Sequence, residues 1–234
     1  MNAVVTLNLG NFLPGKARRA IQSAATRWQA AYVELTDPLR ADGIVVHPFW
    51  QKTLIPDAPE VAVYDRLLVL DCDILIRSDC PSLFDLVPNN AIGVVSRVQS
   101  HRPRAMRTRI SPDELKRRAA RFGLLPYTDE RQHLNGGLVL YHREQHSDIL
   151  AQWRMAARHI HWRKFWWNDQ AALSCILANS LVPVVWLPWT MNTLDAGRHP
   201  TFRAGLMETY IYHFNSPRPR PLAKCMEEVQ WKLP

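Results

Sequence analysis

The sequence predicts an α/β fold, a mostly parallel central sheet flanked by helices. Three observations carry the prediction. Strand-like apolar runs alternate with helical stripes along the chain, the pattern of strands joined by crossover helices. The run Arg66-Leu-Leu-Val-Leu70 is apolar after its first residue, as a strand covered on both faces must be, and it ends in Asp71-Cys72-Asp73. The 234 residues, 47% hydrophobic and 21% charged, can bury the core of one globular domain.

The elements follow in order. Ala3–Leu9 predicts a first strand. Pro14–Tyr32 predicts a helix, because Ala20, Ile21, Ala24, Ala25 and Trp28 fall on one helical stripe. Ala31–Leu35 leads into a second strand, and Gly43–His47 is a short further one. Leu67–Asp71 is a core strand, Ser82–Val87 a short helix closed by Pro88, and Ala91–Val95 again strand-like. Gly136–Tyr141 reads as an apolar strand, and Ser147–His159 and Asp169–Asn179 as helices. Val182–Leu187 and Thr209–Phe214 predict the last strands. Two segments stand apart. Residues 97–131 form a basic excursion with Arg97, Arg102, Arg104, Arg107 and Arg109, and Pro112–Phe122 is helical behind the cap-like Ser111. An excursion of that length suits a lid or an acceptor region. Residues 216–234 open with Pro217, Pro219 and Pro221 alternating with arginines, which predicts an extended tail. The division expected is one catalytic domain over 1–215, then this tail.

Composition narrows the function classes. A net charge of +8 and a pI of about 9.6 favour anionic partners: nucleotide phosphates, acidic glycans, anionic membrane or nucleic acid. Few aromatics interleave with the arginines of the excursion, which argues against stacking on single-stranded nucleic acid. Cys72, Cys80, Cys175 and Cys225 form no Cys-x-x-Cys pair, so they read as free thiols rather than a zinc ribbon. No run has membrane-spanning length and the first residues lack the build of a signal peptide, so the expected location is cytoplasmic, with peripheral membrane contact compatible with the charge.

Asp71 and Asp73 supply the central chemistry. Residues i and i+2 of a strand point the same way, so the two carboxylates would stand together at its C-terminal edge. Like charges there repel and resist burial, and a divalent cation relieves both effects. Such a cation completes its shell with water and substrate phosphates. A solvated turn or helix cap is the plain alternative. Cys72 between them reads as packing. In α/β sheets the C-terminal strand edges are also where ligands bind.

Four motifs then occur in order: Tyr64-Asp-Arg-Leu-Leu-Val-Leu-Asp71-Cys-Asp73, Leu134-Asn135-Gly136-Gly137-Leu, Trp167-Asn168-Asp169-Gln170, and Tyr210-Ile-Tyr-His213-Phe214. Together they resemble the glycosyltransferases of the GT-A fold, especially family eight, the glycogenin and lipopolysaccharide galactosyltransferase group. The resemblance covers the chain from its first strand to His213. It implies a metal held by Asp71, Asp73 and His213. Manganese is expected ahead of magnesium, because imidazole suits it better. It implies that Thr6 and Asn8 contact base and ribose, that Lys52 reaches the diphosphate with Arg66 a weaker candidate, and that Asn135, Gly136 and Gly137 border the donor sugar. Asp169 would bind sugar hydroxyls and Gln170 would lie near the anomeric carbon. Arg218 or Arg220 would stand in for the family's closing lysine, and Ser216 replaces its glycine. By their residues alone, His213 could be a strand-end histidine, Gly136-Gly137 a tight turn, and Asp169 a cap or a charge favoured by the helix dipole.

The activity implied is a metal-dependent, retaining transfer of a hexose from a nucleotide-sugar, a UDP-sugar first, to a glycan, lipid-linked or protein acceptor. A nucleotidyltransferase is one rival, with only a faint glycine-rich echo at Gly10–Lys16. A non-catalytic basic module for nucleic acid or anionic membrane is the other. Trp162, Phe165, Trp166 and Trp167 read mainly as core, with one open as a sugar platform. His142, Glu144 and His146 read as a solvated helix start.

Overall fold

The computed structural model describes residues 1–97, 112–121, 123–158, 168–194 and 209–214. The elements are β1 (Asn2–Leu7), α1 (Gly15–Arg27), β2 (Ala31–Leu35), β3 (Arg40–Ala41), β4 (Ile44–Val45), β5 (Arg66–Leu70), β6 (Ile74–Ile76), α2 (Leu83–Leu86) and β7 (Ile92–Ser96). They continue with α3 (Pro112–Arg121), β8 (Leu134–His142), α4 (Ser147–Arg158), α5 (Asn168–Ala178), β9 (Val184–Leu187), β10 (Thr193–Leu194) and β11 (Ile211–His213).

The main sheet has 6 strands in the order β2-β1-β5-β8-β7-β9. All run one way except β8, which is antiparallel to both β5 and β7. β5 lies inside this sheet and is buried along its whole length. Its alternation explains the unbroken apolar run. Leu68 and Leu70 pack with Ala17, Ala20, Ile21 and Ala24 of α1, whereas Leu67 and Val69 pack with Ile149 and Trp153 of α4 and Ala172 of α5. Each face of the strand has its own helical cover, so neither can be polar.

A smaller sheet, β10-β11-β6, decides where the late histidine goes. β11 runs antiparallel to β6, with Ile211 opposite Ile76, Tyr212 opposite Leu75 and His213 opposite Ile74. The Phe214 amide donates to the Asp73 carbonyl at 2.9 Å. The end of β11 is thereby fastened to the turn that carries the aspartates.

The predicted helix over 14–32 ends earlier, at Arg27. Gln29 takes a φ of 53° and the Ala30 amide closes onto the Ala25 carbonyl at 2.9 Å. A left-handed residue of this kind ends a helix as glycine often does, but no glycine marks it here. Ala31 and Tyr32 belong to β2 instead. Residues 48–57 carry a long 3-10 segment, Pro48–Asp57, where the sequence suggested no element. His146 is buried, with Nδ1 accepting from the His142 amide at 2.9 Å, so it is not part of a solvated helix start. Helix α3 buries Leu115 and Ala119 against Tyr127 and Cys175 and exposes Lys116 and Arg117. Among the described residues no helix is long and apolar enough to cross a membrane. The rest of the excursion, the tryptophan cluster and the tail lie outside the described residues.

Candidate active site

Asp71 and Asp73 are not on a strand. They occupy the turn between β5 and β6, so pleat alternation does not align them. Pairing does. The Asp71 amide donates to the Gly137 carbonyl at 3.0 Å, continuing the β5–β8 ladder, and the Asp73 carbonyl accepts from Phe214. The two anchors turn both carboxylates to one side, toward His213. His213 Nε2 lies 3.1 Å from Asp73 Oδ1 and 3.6 Å from Asp71 Oδ2. One donor atom from each of the three residues falls within 4.8 Å of the other two. Oxygen and imidazole donors at that spacing can share one divalent cation at metal–ligand distances of about 2–2.5 Å. The donor set therefore fits the cation that the sequence implied.

The glycines explain how the ring gets there. Gly136 and Gly137 lie within β8, and neither has a positive φ. The tight-turn reading is thus corrected: their role is close approach. A Cβ built on Gly137 would come 2.5 Å from His213 Nδ1 and nearer still to Cε1. One on Gly136 would sit 2.7 Å from Gln170 Cγ and 3.4 Å from Asp169 Oδ2. The register between β7 and β8 also jumps here, from Val94↔Val139 to Val95↔Asn135. That bulge occurs where the glycines lie, and bulges commonly re-aim a strand beside a site. The Asn135 side chain accepts from the Gly137 amide at 2.8 Å and so braces the bulge.

Charge is balanced from the 3-10 segment. Lys52 Nζ sits 2.5 Å from Asp71 Oδ1 and donates to the Gly136 carbonyl at 2.8 Å. Burial opposes the ammonium, but Asp71 and Asp169 outweigh it and hold its pKa above the ordinary lysine value. His213 behaves alike: burial disfavours the imidazolium, and Asp73 reverses that and raises its pKa. Asp169 is buried in the first turn of α5, and its carbonyl accepts from Trp153 Nε1 at 3.0 Å. Burial pushes its carboxyl up to about 6, against the pull of Lys52. The Cys72 thiol packs at the edge of the α1-side core and burial pushes its pKa up to about 12.

Asp71, Asp73, His213, Lys52, Asn135, Gly136, Gly137, Asp169 and Gln170 therefore form one connected cluster. Thr6 and Asn8 are fully buried beside β2. Asn8 donates to Glu34 Oε1 at 2.7 Å and accepts from the Leu13 amide at 2.8 Å, while Thr6 meets the Tyr32 hydroxyl at 3.2 Å. Glu34 also accepts from Arg18 and from Tyr32. The sequence reading missed this network, although Thr6 of β1 stands opposite Glu34 of β2, with Tyr32 two residues earlier on the same strand. Arg66 is a correction. It stands at the opposite end of β5, donating to the Phe84 carbonyl at 3.0 Å and the Val87 carbonyl at 2.5 Å, so it secures the end of α2 rather than a diphosphate. Arg218 and Arg220 lie outside the described residues. A separate hollow of about 320 Å³, lined by Pro56, Arg143, Ser147 and Arg154 among others, shares no residue with the cluster. Its Arg143 is already engaged by the Pro56 and Ala62 carbonyls.

No protein-family model matches this sequence, and no curated protein matches it at a significant level. Solved structures do match in shape. A glycosyltransferase involved in glycosylation of the major capsid of PBCV-1 aligns over 97% of this chain and 98% of its own, with TM-score 0.62 and 9% identity. The chain has the GT-A fold. The WbbM bifunctional glycosyltransferase aligns over 97% of this chain at TM-score 0.61 and 14% identity, and this GT-A chain spans 50% of its length. Galactosyltransferase LgtC, solved with donor and acceptor sugar analogues, aligns over 96% of this chain and 94% of its own at TM-score 0.50 and 16% identity.

Proposed function

We propose that the protein is a metal-dependent glycosyltransferase that moves a hexose from a nucleotide-sugar, a UDP-sugar, to an acceptor hydroxyl with retention of anomeric configuration. The observation that carries the reading is the meeting of Asp71, Asp73 and His213 beyond the C-terminal end of β5, in a GT-A fold, with Lys52 and Asp169 beside them.

Asp71, Asp73 and His213 would hold the cation, manganese by preference for the imidazole, and a bound cation would supply positive charge against the departing diphosphate. The protein's own groups do the remainder. Lys52, once drawn from Asp71, offers an ammonium to the diphosphate oxygens, as a charge placed before reaction begins. Asp169 orients the donor sugar through its hydroxyls, and Gln170 sits by the anomeric carbon. Gly136 leaves the room these two need. Asn135 keeps the bulge rigid. Thr6 and Asn8 shape the base and ribose end, and Arg218 or Arg220 would steady the diphosphate. In the transfer, the acceptor oxygen bonds to the anomeric carbon as the bond to the diphosphate oxygen breaks. The acceptor proton passes to that diphosphate oxygen, so no side-chain base is required. The expected acceptor is a glycan, lipid-linked or protein hydroxyl.

The test is turnover of UDP-hexoses with Mn²⁺, followed by anomeric analysis of the product. Nucleotide-sugar cleavage that disappears with chelator and in Asp73→Ala supports the reading. Intact donor, beside tight binding of RNA that falls steeply with salt, favours a nucleic-acid module instead.

A further inference from the structure

We propose that Asn192 is a positioning residue of the metal site: its carbonyl oxygen accepts from His213 Nδ1 and thereby keeps Nε2, the nitrogen that would bind the cation in place of its proton, turned toward Asp71 and Asp73. The inference rests on the metal-site reading above. No motif in the sequence pointed to this residue.

The contact is 3.2 Å long and buried. Asn192 itself is 0% exposed. It closes the 3-10 turn Trp189–Met191, with its amide donating to the Trp189 carbonyl at 3.1 Å. The next residue, Thr193, opens β10, which pairs in parallel with β11 as Thr193↔Tyr212 and Leu194↔His213. Two more ties hold the segments together: the Tyr210 amide donates to the Thr190 carbonyl at 2.8 Å, and the Thr193 and Thr209 hydroxyls meet at 3.0 Å. Asn192 and His213 are thus carried on one rigid pair. Gly137 passes close to the ring and limits its freedom.

Chemistry chooses the orientation. A histidine that ligates through Nε2 must keep its proton on Nδ1, and that proton needs an acceptor. The amide oxygen provides one. An amide nitrogen in its place would force the ring proton onto Nε2, facing the carboxylates, and no lone pair would be left for a cation. Asn192 also has a cost that packing does not explain. Its Nδ2 is buried and has no hydrogen-bond partner among the described residues. An apolar side chain of similar size would fill the same space without an unpaired donor. The oxygen is what the site uses.

The experiment titrates Mn²⁺ alone into the full chain and reads affinity by electron paramagnetic resonance, so no sugar donor enters it. In parallel, the ¹⁵N shifts of His213 are read with the diamagnetic ion Cd²⁺. Asn192→Leu is expected to weaken Mn²⁺ binding roughly ten- to a hundredfold and to lose the single Nδ1-protonated form. Asn192→Asp, which retains an acceptor oxygen, is expected to bind at least as tightly as the parent, and it serves also if Asn192→Leu does not fold. His213→Ala is the reference. Parental affinity in Asn192→Leu, with His213→Ala weakened, overturns this inference alone. Parental affinity in both overturns the metal-site reading and this inference with it. Weakened binding with the tautomer unchanged, or weakened binding in Asn192→Asp, assigns Asn192 to packing and overturns its positioning role.

Discussion

Gly137 lacks a side chain where the His213 ring lies. Gly137→Ala would place a methyl group against Nδ1 and Cε1, so the ring must move away from the aspartates. The expected outcome is a loss of roughly tenfold or more in Mn²⁺ affinity, read by titration, with the helical circular dichroism retained. Asp73→Asn removes a carboxylate charge from the proposed metal site and is expected to lower donor turnover by at least about a hundredfold, measured by nucleoside diphosphate release. Glu34 allows a stability test away from the metal. Hydrogen bonds from Arg18, Asn8 and Tyr32 hold its carboxyl at about 2, below its ordinary value of 4.5, with burial opposing them. The folded pKa is the lower one, so the charged form stabilises the fold. That stability is complete above the unfolded pKa and is lost as pH falls through about 4.5 toward 2. Glu34→Gln should flatten the acid limb of urea-denaturation stability by about 2 kcal/mol, allowing for solvent screening at Arg18. An unchanged acid limb would refute the network's role.

At the scale of elements, strand pairing does the assembling. β6 and β11 bring the aspartate turn and His213 together, and Leu75, fully buried opposite Tyr212, is central to that pair. Leu75→Ala is expected to cost about 2–5 kcal/mol in urea unfolding, and to weaken Mn²⁺ binding as well because β11 loosens. Arg66 offers the contrast. Arg66→Ala leaves the Phe84 and Val87 carbonyls unpaired and should cost about 1–3 kcal/mol. Its Mn²⁺ affinity should stay at the parental level, since Arg66 lies at the other end of β5. Much of this scale was readable from residue order. The apolar run at β5 and the alanine stripe of α1 announced strand and helix. The end of α1 was not legible, because Gln29 adopts a left-handed conformation without glycine. The bulge in β8 was hidden too, because a register jump depends on the partner strand.

For the whole molecule, two layers of helices on one sheet leave the C-terminal strand edges as the natural place for a ligand. A nucleotide-sugar that binds only the folded chain stabilises it by mass action, by about 2.7 kcal/mol at a hundredfold excess over Kd. UDP-hexose with Mn²⁺ is therefore expected to raise Tm by several degrees in a thermal-shift measurement, and chelator to remove the effect. A rise of equal size without metal would argue against the Asp71–Asp73–His213 centre. The net charge of +8 gives such an anionic donor a favourable long-range field.

By itself the sequence determined the alternating α/β plan, the carboxylate pair after an apolar strand, and the ordered motifs that resemble GT-A transferases. These are local patterns, set by side-chain period and composition. Only the tertiary structure decided that Gly137 makes room for His213, that Lys52 faces Asp71, that Arg66 serves α2, and that Asn192 meets the His213 ring. Each of those depends on contacts between residues far apart in the chain, and such contacts exist only once strand register has been chosen.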